Sequence, residues 1–156
     1  MLQSEPNLFS FAHGGVTYRL TRQPEKVFLQ RGGQSGVADK LAQALSRQGD
    51  VFYLSGGDLV QALPGKFVLL DKATVQYLLG HRVLLVVRKD DREQAQNITS
   101  ELVALACAAL GQKPNQTPPN IETVTSLPYV TADGQEVFNS GYCTTTKIFK
   151  DRKSVV

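Results

Sequence analysis

The chain has 156 residues, of which 42% are hydrophobic and 20% charged, as in a globular protein large enough to bury one core. This composition excludes a disordered, collagen-like or membrane-embedded chain. The formal net charge of +3 is unevenly placed, because the last ten residues contain Lys147, Lys150, Arg152 and Lys153 against a single Asp151. The preceding residues carry equal numbers of basic and acidic side chains, so net charge gives only weak support for a polyanionic partner.

The sequence shows no targeting or membrane signal. Its first residues lack the basic and apolar regions of a signal peptide. The longest strongly apolar run, residues 83–87, is much shorter than the roughly 20 residues of a membrane helix. Cys107 and Cys143 are too few and too far apart for a disulfide framework or a four-ligand zinc site. These features predict a cytoplasmic protein without a membrane partner.

The first elements are predicted to be strands. Residues 9–20 read FSFAHGGVTYRL, in which Gly14-Gly15 separates two β-prone pieces and predicts a hairpin with a two-residue turn. Alternation in the second piece places Arg19 on its polar face. After this hairpin, residues 27–29 predict a short strand.

The next segment predicts a helix followed by a meander. Apolar side chains recur at helical spacing over residues 35–48, with Ser35 as N-cap and Gly49 as the C-terminal stop. The glycine-rich start of this helix favours a simple strand-to-helix turn, although its backbone amides could also hold an anion. Three short β-prone runs separated by turn sequences then indicate antiparallel pairing. These predicted strands are residues 52–54, 59–63 and 67–70.

The middle of the chain predicts a short helix, a central strand and a long helix. Asp71 is expected to cap a helix that ends at Gly80. Residues 83–87 form an uninterrupted β-branched and leucine run, typical of a strand buried on both faces. Residues 91–110 are predicted as the longest helix, because apolar side chains recur on one face and Asp90 fits the capping position.

The domain organisation follows from a proline-rich segment. Residues 113–120 contain three prolines and no large apolar side chain, which predicts a loop or linker after an α+β core domain at residues 1–112. Within residues 121–146, Asp133-Gly134 between two β-prone pairs predicts a β-hairpin packed on the core. Residues 147–156 are predicted to be a basic tail. The expected fold class is α+β, with a small antiparallel or mixed sheet and hairpins packed against two main helices.

No group of residues in the sequence has the pattern of a catalytic centre. Residues 60–67 lack the first glycine and the Ser or Thr of a phosphate-binding P-loop. His13 and His81 are the only histidines, and no base lies near Cys143 in sequence. Cys107 lies on or beside an apolar helix face, where cysteine acts as a small hydrophobe. We therefore expect a non-catalytic protein with no metal or other cofactor, and a Cys/His hydrolase or nucleotide-dependent enzyme is the least favoured class.

Six basic residues are candidates for phosphate contacts, because they lie near aromatic residues in two short stretches of sequence. They are Arg19, Arg22, Lys147, Lys150, Arg152 and Lys153. The aromatic neighbours are Tyr18, Tyr142 and Phe149. The competing interpretation is an ordinary solvated surface with a frayed terminus.

Two segments resemble a known family. The FAHGG stretch at residues 11–15, followed by YRL at 18–20, resembles a stretch of the large primase-helicase replication proteins of phages, plasmids and integrated elements. Residues 127–142 are similar to the P-x-x-R-x-DG…GYD stretch that those proteins carry shortly before their ATPase module. The chain departs from this pattern at Thr131, where an arginine is usual, and at Cys143, where an aspartate is usual.

The resemblance implies a region that joins a priming module to a ring-forming helicase motor, without the catalytic parts of either. The expected function is that of an accessory domain in mobile-element DNA replication, which binds DNA or positions the motor. Its expected partners are DNA and a helicase module or other replication protein. The alternative is a protein-interaction or oligomerisation scaffold domain without nucleic-acid contact, which the neutral body of the chain favours.

Overall fold

The computed structural model describes residues 7–10, 16–19, 23–30 and 32–151, and the first two of these ranges by their strand pairing alone. In this part of the chain three α-helices combine with several small mixed and antiparallel sheets, which confirms the predicted α+β class. The helices are α1 (Gln34–Arg47), α2 (Lys72–Arg82) and α3 (Ser100–Ala109).

The strands are short and fall into hairpins and small sheets. The N-terminal hairpin consists of β1 (Asn7–Ser10) and β2 (Val16–Arg19). One three-stranded sheet has the order β3-β7-β8 and contains β3 (Glu25–Leu29), β7 (Val83–Lys89) and β8 (Arg92–Gln96). A four-stranded sheet has the order β6-β5-β4-β9 and contains β4 (Val51–Leu54), β5 (Leu59–Leu63), β6 (Lys66–Leu69) and β9 (Asn120–Ile121). The C-terminal sheet has the order β10-β14-β13 and contains β10 (Thr123–Thr125), β13 (Gly141–Cys143) and β14 (Ile148–Lys150), while β11 (Tyr129–Val130) pairs with β12 (Glu136–Val137).

Three predicted hairpin regions are confirmed. Strands β1 and β2 are antiparallel, although the predicted turn at Gly14-Gly15 lies outside the described residues. Strands β4, β5 and β6 form the expected antiparallel meander. Strands β11 and β12 flank Gly134, whose φ of +83° lies in the left-handed region that glycine adopts without a steric penalty.

The main core lies between the three helices and one face of the β3-β7-β8 sheet. Val27 of β3 and Leu85 of β7 point into it, and Leu41, Leu79 and Val103 meet them from α1, α2 and α3. Strand β7 is the middle strand of its sheet, as predicted, and it runs parallel to β3. It is not buried on both faces, because the helices cover only the face that carries Val27 and Leu85.

A second apolar cluster joins the four-stranded sheet to the C-terminal sheet. It is built on Phe52 and Ile121, with aromatic rings packed around them. The Phe52 ring centroid lies 5.1 Å from that of Tyr142 and 5.7 Å from that of Phe149. Phe67 adds an edge-on contact of 5.0 Å with Phe149. The aromatic pairs therefore hold the C-terminal strands against the meander.

The predicted helix over residues 91–110 is wrong in its first half. Asp90 and Asp91 have φ angles of +50° and +58° and form the two-residue turn between β7 and β8. Consecutive left-handed residues are typical of a hairpin turn that matches the twist of its strands, and aspartate tolerates this conformation. The polar residues that follow pair with β7 as an edge strand, and α3 begins only at Ser100, with Thr99 as its N-cap.

Helix α2 also differs from its predicted length. Asp71 is its N-cap, as expected, and its carboxylate accepts a hydrogen bond of 2.7 Å from the Thr74 amide. The helix continues through Gly80, where it was expected to end, and finishes at Arg82. The extra residues are retained because the Arg82 side chain at the new end is buried and hydrogen bonded.

Residues 113–120 pack against the core and do not form a free linker. Gln116 is fully buried, and its side-chain amide donates a hydrogen bond of 3.4 Å to the Asp39 carbonyl of α1. The Lys113 ammonium lies 2.5 Å from the Asp39 carboxylate. Pro118 is also fully buried, just before β9 pairs with β4. The segment lacks large apolar side chains, but the amide of Gln116 and the proline ring fill the space beside α1.

Residues 147–151 are not a free tail. Strand β14 is the middle strand of its sheet, parallel to β10 and antiparallel to β13. Its central residue, Phe149, is the ring that packs on Phe52 and Phe67. The pairing and the aromatic contacts explain why a basic stretch is ordered here. The rest of the predicted tail, residues 152–156, lies outside the described residues.

Arg82 connects the end of α2 to the end of α1 and the start of the meander. Its guanidinium donates hydrogen bonds of 3.3 and 2.8 Å to the carbonyls of Ala44 and Leu45, in the last turn of α1. Its other terminal nitrogen binds both carboxylate oxygens of Asp50, at 2.7 and 2.5 Å. The Gln61 amide donates a further bond of 2.8 Å to Asp50. One side chain thus satisfies the carbonyls of a helix end and a carboxylate at once.

Replacing Arg82 with methionine should lower the free energy of unfolding by about 3–5 kcal/mol, because a half-buried carboxylate and two helix carbonyls lose their donor. Urea unfolding followed by circular dichroism measures this change. The control is Arg47→Met, since the Arg47–Glu25 pair is exposed and is expected to contribute less than about 1 kcal/mol. Equal effects of the two variants would contradict the role given to Arg82.

Candidate functional site

A cleft of about 1170 Å³ opens where the parallel strands β3 and β7 end. The chain turns from β3 into α1 at Gly32, whose φ is +76°, and this turn places the start of α1 at the same edge of the sheet. Leu29, Val37 and Val87 contribute apolar surface to the cleft. The carboxyl ends of parallel strands are the usual ligand-binding edge of an α/β arrangement, so the topology itself makes this cleft a candidate site.

Basic side chains predominate at the cleft. Lys40 of α1 and Arg88 and Lys89 of β7 line it, against the single carboxylate of Asp90. All four residues are exposed. Within the described ranges, neither Lys40 nor Lys89 lies within ion-pair distance of a carboxylate. The cleft therefore has a positive local potential, which favours anionic ligands.

The beginning of α1 adds to this potential. Its N-cap is Gly33, no side chain caps its first turn, and no acidic residue lies in that turn. The predicted capping role of Ser35 is therefore wrong. Gly33 and Gly36 line the cleft, so the backbone of the first turn lies at its surface. The positive end of the helix dipole reinforces the three basic side chains.

An aromatic ring lies beside the basic groups. Phe28 of β3 lines the cleft, and 38% of the residue is exposed. The guanidinium carbon of Arg88 is 5.8 Å from the centroid of the Phe28 ring, a cation–π distance. The same guanidinium lies 3.7 Å from the Glu93 carboxylate, which accepts a hydrogen bond of 3.0 Å from Lys26. These two cations hold the pKa of Glu93 below its usual value, with Lys26 as the larger cause.

The structure places the six sequence-predicted basic residues away from this cleft or outside the described part. Arg19 is the last residue of β2, for which only strand pairing is described, and Arg22, Arg152 and Lys153 lie outside the described residues. The Lys147 ammonium is 3.0 Å from the Glu122 carboxylate. Lys150 is only 8% exposed in the C-terminal sheet, so it presents little surface to a phosphate.

The cleft residues were missed by sequence reasoning because they come from distant parts of the chain. One local signal was available: Arg88-Lys89 directly follows the apolar run that was predicted as a central strand. Basic residues at the end of such a strand lie at the ligand-binding edge if the strand is parallel to its neighbour. That orientation becomes evident only when β3 and β7 are seen side by side.

Cys143 has an activated thiol. Hydrogen bonds from the Thr146 side chain and backbone amide, with smaller contributions from Thr145 and Tyr129, lower the pKa of the Cys143 thiol to about 7. Burial instead raises the pKa of Cys107, which packs against the main core. An aspartate at position 143, usual in the resembled family, would accept the same turn hydrogen bonds, so the thiolate is its local substitute.

Thr131, the other departure from the family pattern, has a role in the β11–β12 turn. Its hydroxyl accepts a hydrogen bond of 3.0 Å from the Gln135 amide and also donates to the Asp133 carboxylate. The Thr131 backbone amide donates a bond of 2.9 Å to the Gln135 carbonyl. This side chain therefore stabilises the turn, which an arginine would not do in the same way.

The histidine and cysteine side chains do not form a catalytic pair in the described part. His81 is exposed on α2, where its Nδ1 lies 2.9 Å from the Tyr77 carbonyl one turn earlier. Cys143 lies in β13 among hydroxyl and amide groups, and His13 is outside the described residues. The low pKa of the thiol thus has a local hydrogen-bonding cause and needs no base.

The rate of alkylation of Cys143 by iodoacetamide should rise to half its maximum near pH 7, since the thiolate is the reactive form. The measurement is made in a Cys107→Ser background by following labelled protein in a mass spectrometer. Thr146→Val should move the midpoint towards the ordinary value of 9.0, because the main hydrogen-bond donor is lost. Thr144→Val, an exposed neighbour, is the control, and an unchanged midpoint in Thr146→Val would contradict the assignment.

Two further searches of the described residues bear on the site. No group of three or more His, Cys, Asp or Glu side chains there is arranged to hold a metal ion. None of the helices in that part is long and apolar enough to cross a membrane. No protein-family model, curated protein or solved structure matches the chain. The cleft, its charges and the sequence resemblance are therefore the grounds for a functional proposal.

Proposed function

We propose that the chain is a non-catalytic accessory domain of a mobile-element DNA replication protein, and that it binds DNA at the cleft between β3, β7 and α1. The observation that carries this proposal is the charge of the cleft, where Lys40, Arg88 and Lys89 oppose one carboxylate. Phosphate contacts from exposed basic side chains supply most of the affinity of non-specific DNA binding. The resemblance to primase-helicase replication proteins supports DNA as the polyanion.

The body of the chain is otherwise neutral, so the location of the basic residues matters more than their number. Lysine and arginine side chains spread evenly over a surface attract a polyanion weakly, whereas a cluster beside a concave surface concentrates the potential. The three cleft cations come from α1 and β7, which β3 connects and pairs. Rigid elements therefore set their spacing, which favours a binding surface over a set of independent mobile charges.

Fluorescence anisotropy with a labelled oligonucleotide tests the proposal. We expect binding at about 50 mM salt that weakens steeply at about 200 mM, because neutralised phosphates release counterions. The double variant Arg88→Gln/Lys89→Gln should bind more weakly and reduce the slope of log affinity against log salt by roughly one.

The matched control is Lys66→Gln/Lys72→Gln, which removes the same charge from exposed positions on β6 and α2. Its binding should stay close to that of the unmodified chain. Absence of binding to single-stranded and duplex DNA at low salt, or equal losses in the two double variants, would contradict DNA binding at the cleft.

The alternative function is a scaffold domain that binds protein and no nucleic acid. It is favoured by exposed apolar side chains around the β11–β12 hairpin, where Leu127, Val130 and Phe138 are 70%, 62% and 62% exposed. Apolar side chains grouped on a surface are typical of protein contacts. Light scattering over a concentration series should show an assembly that Val130→Ser/Phe138→Ser disrupts, and a monomer at every concentration would contradict self-assembly.

A further inference from the structure

We propose that Phe28 and Arg88 form a stacking surface for an unpaired base, so that the cleft selects single-stranded over duplex DNA, and that Glu93 competes with the bound strand for its cations. This inference rests on the proposed function and specifies its ligand. The next paragraphs take the surface, the ligand and the competing carboxylate in turn.

The stacking surface lies on the face of the β3-β7-β8 sheet that turns away from the helices. Side chains alternate along a strand, and Val27 and Leu85 point into the main core. Phe28 pairs with Val86, and Arg88 pairs with Glu93, so these residues lie on the opposite face. Leu84 on that face is 37% exposed, close to the value of 38% for Phe28. A flat apolar area with an aromatic ring thus borders the basic cleft.

The ring and the guanidinium together resemble the groups that bind bases in single-strand-binding proteins. Bases stack on aromatic rings and on arginine planes, and every base has a face for this contact. The Arg88 side chain is 67% exposed and lies over the Phe28 ring. Phe28, Arg88 and Lys89 also line one cleft. A strand whose base rests on Phe28 would therefore have its phosphates within reach of the basic groups.

Stacking of this kind requires an unpaired base. In a duplex both faces of each base are covered by neighbouring base pairs, and a base must be turned out of the stack before a protein ring can contact it. The cleft shows charge and one ring but no wedge of several apolar side chains that would unstack a duplex. The geometry therefore favours DNA that is already single-stranded.

Glu93 limits the affinity of this surface. Its carboxylate accepts a hydrogen bond from Lys26 and lies 3.7 Å from Arg88, so it neutralises two cations beside the ring. An incoming phosphate must share or replace these interactions. Removing the charge of Glu93 should therefore strengthen binding, in contrast to the loss of a structural ion pair, which would not.

The sequence contains no tryptophan, so Phe28→Trp introduces a single fluorophore at the proposed contact. Titration of this variant with oligothymidylate should quench its emission, and titration with a duplex of the same length should not. Phe138→Trp, at another exposed phenylalanine, is the control and should show no quenching. Unfolding curves establish that each variant is folded.

Anisotropy provides the second arm. Phe28→Leu should weaken single-strand binding about tenfold and leave duplex binding unchanged, as expected for the loss of one stacking contact. Glu93→Gln should tighten single-strand binding severalfold, and Glu101→Gln, which makes the same charge change on α3, should have a smaller effect.

The results separate the two proposals. If neither DNA form binds the unmodified chain, the proposed function itself is wrong. If DNA binds but Phe28→Leu leaves the ratio of single-strand to duplex affinity unchanged, or the Phe28→Trp emission is not quenched, DNA binding stands and the stacking surface is wrong. If Glu93→Gln and Glu101→Gln have the same effect, the competition by Glu93 is wrong.

Discussion

The fold depends on one buried arginine. Arg82 holds the last carbonyls of α1 and the carboxylate of Asp50 with a single guanidinium, and it is the last residue before β7. Its hydrogen bonds therefore fix where β7 starts relative to α1 and to the meander. The basic residues at the far end of β7 take their positions from this anchored start. The candidate site is thus set by an interaction at the opposite end of the strand.

The site combines groups that would have little effect alone. An exposed lysine, an uncapped helix start and a half-exposed phenylalanine are each common on protein surfaces. Here the parallel pairing of β3 with β7 brings them to one edge of a sheet, next to a concave surface. The carboxylate of Glu93 counteracts part of the positive charge, so the surface is adjusted rather than maximally basic. This balance suits a domain that must release its ligand.

Local signals in the sequence predicted the elements whose structure is decided locally. The apolar periodicity of α1 and the Asp133-Gly134 turn needed no knowledge of distant residues. The residues around Asp90 and Asp91 satisfied a helix-capping pattern and a hairpin turn equally well, and the vacant edge of β7 decided for the hairpin. Lys150 could not be recognised as buried, because its neighbours in β10 and β13 lie elsewhere in the chain. The cleft was unpredictable for the same reason.

The parallel pairing of β3 with β7 also has a consequence for how the chain folds. A helix, three strands and a second helix must be synthesised and arranged before β3 finds its partner, and closure of such a long loop is slow. Until then the backbone groups of β3 on that side remain available to other chains. The cleft is therefore among the last features to form, and a partly folded molecule would aggregate before it became competent to bind.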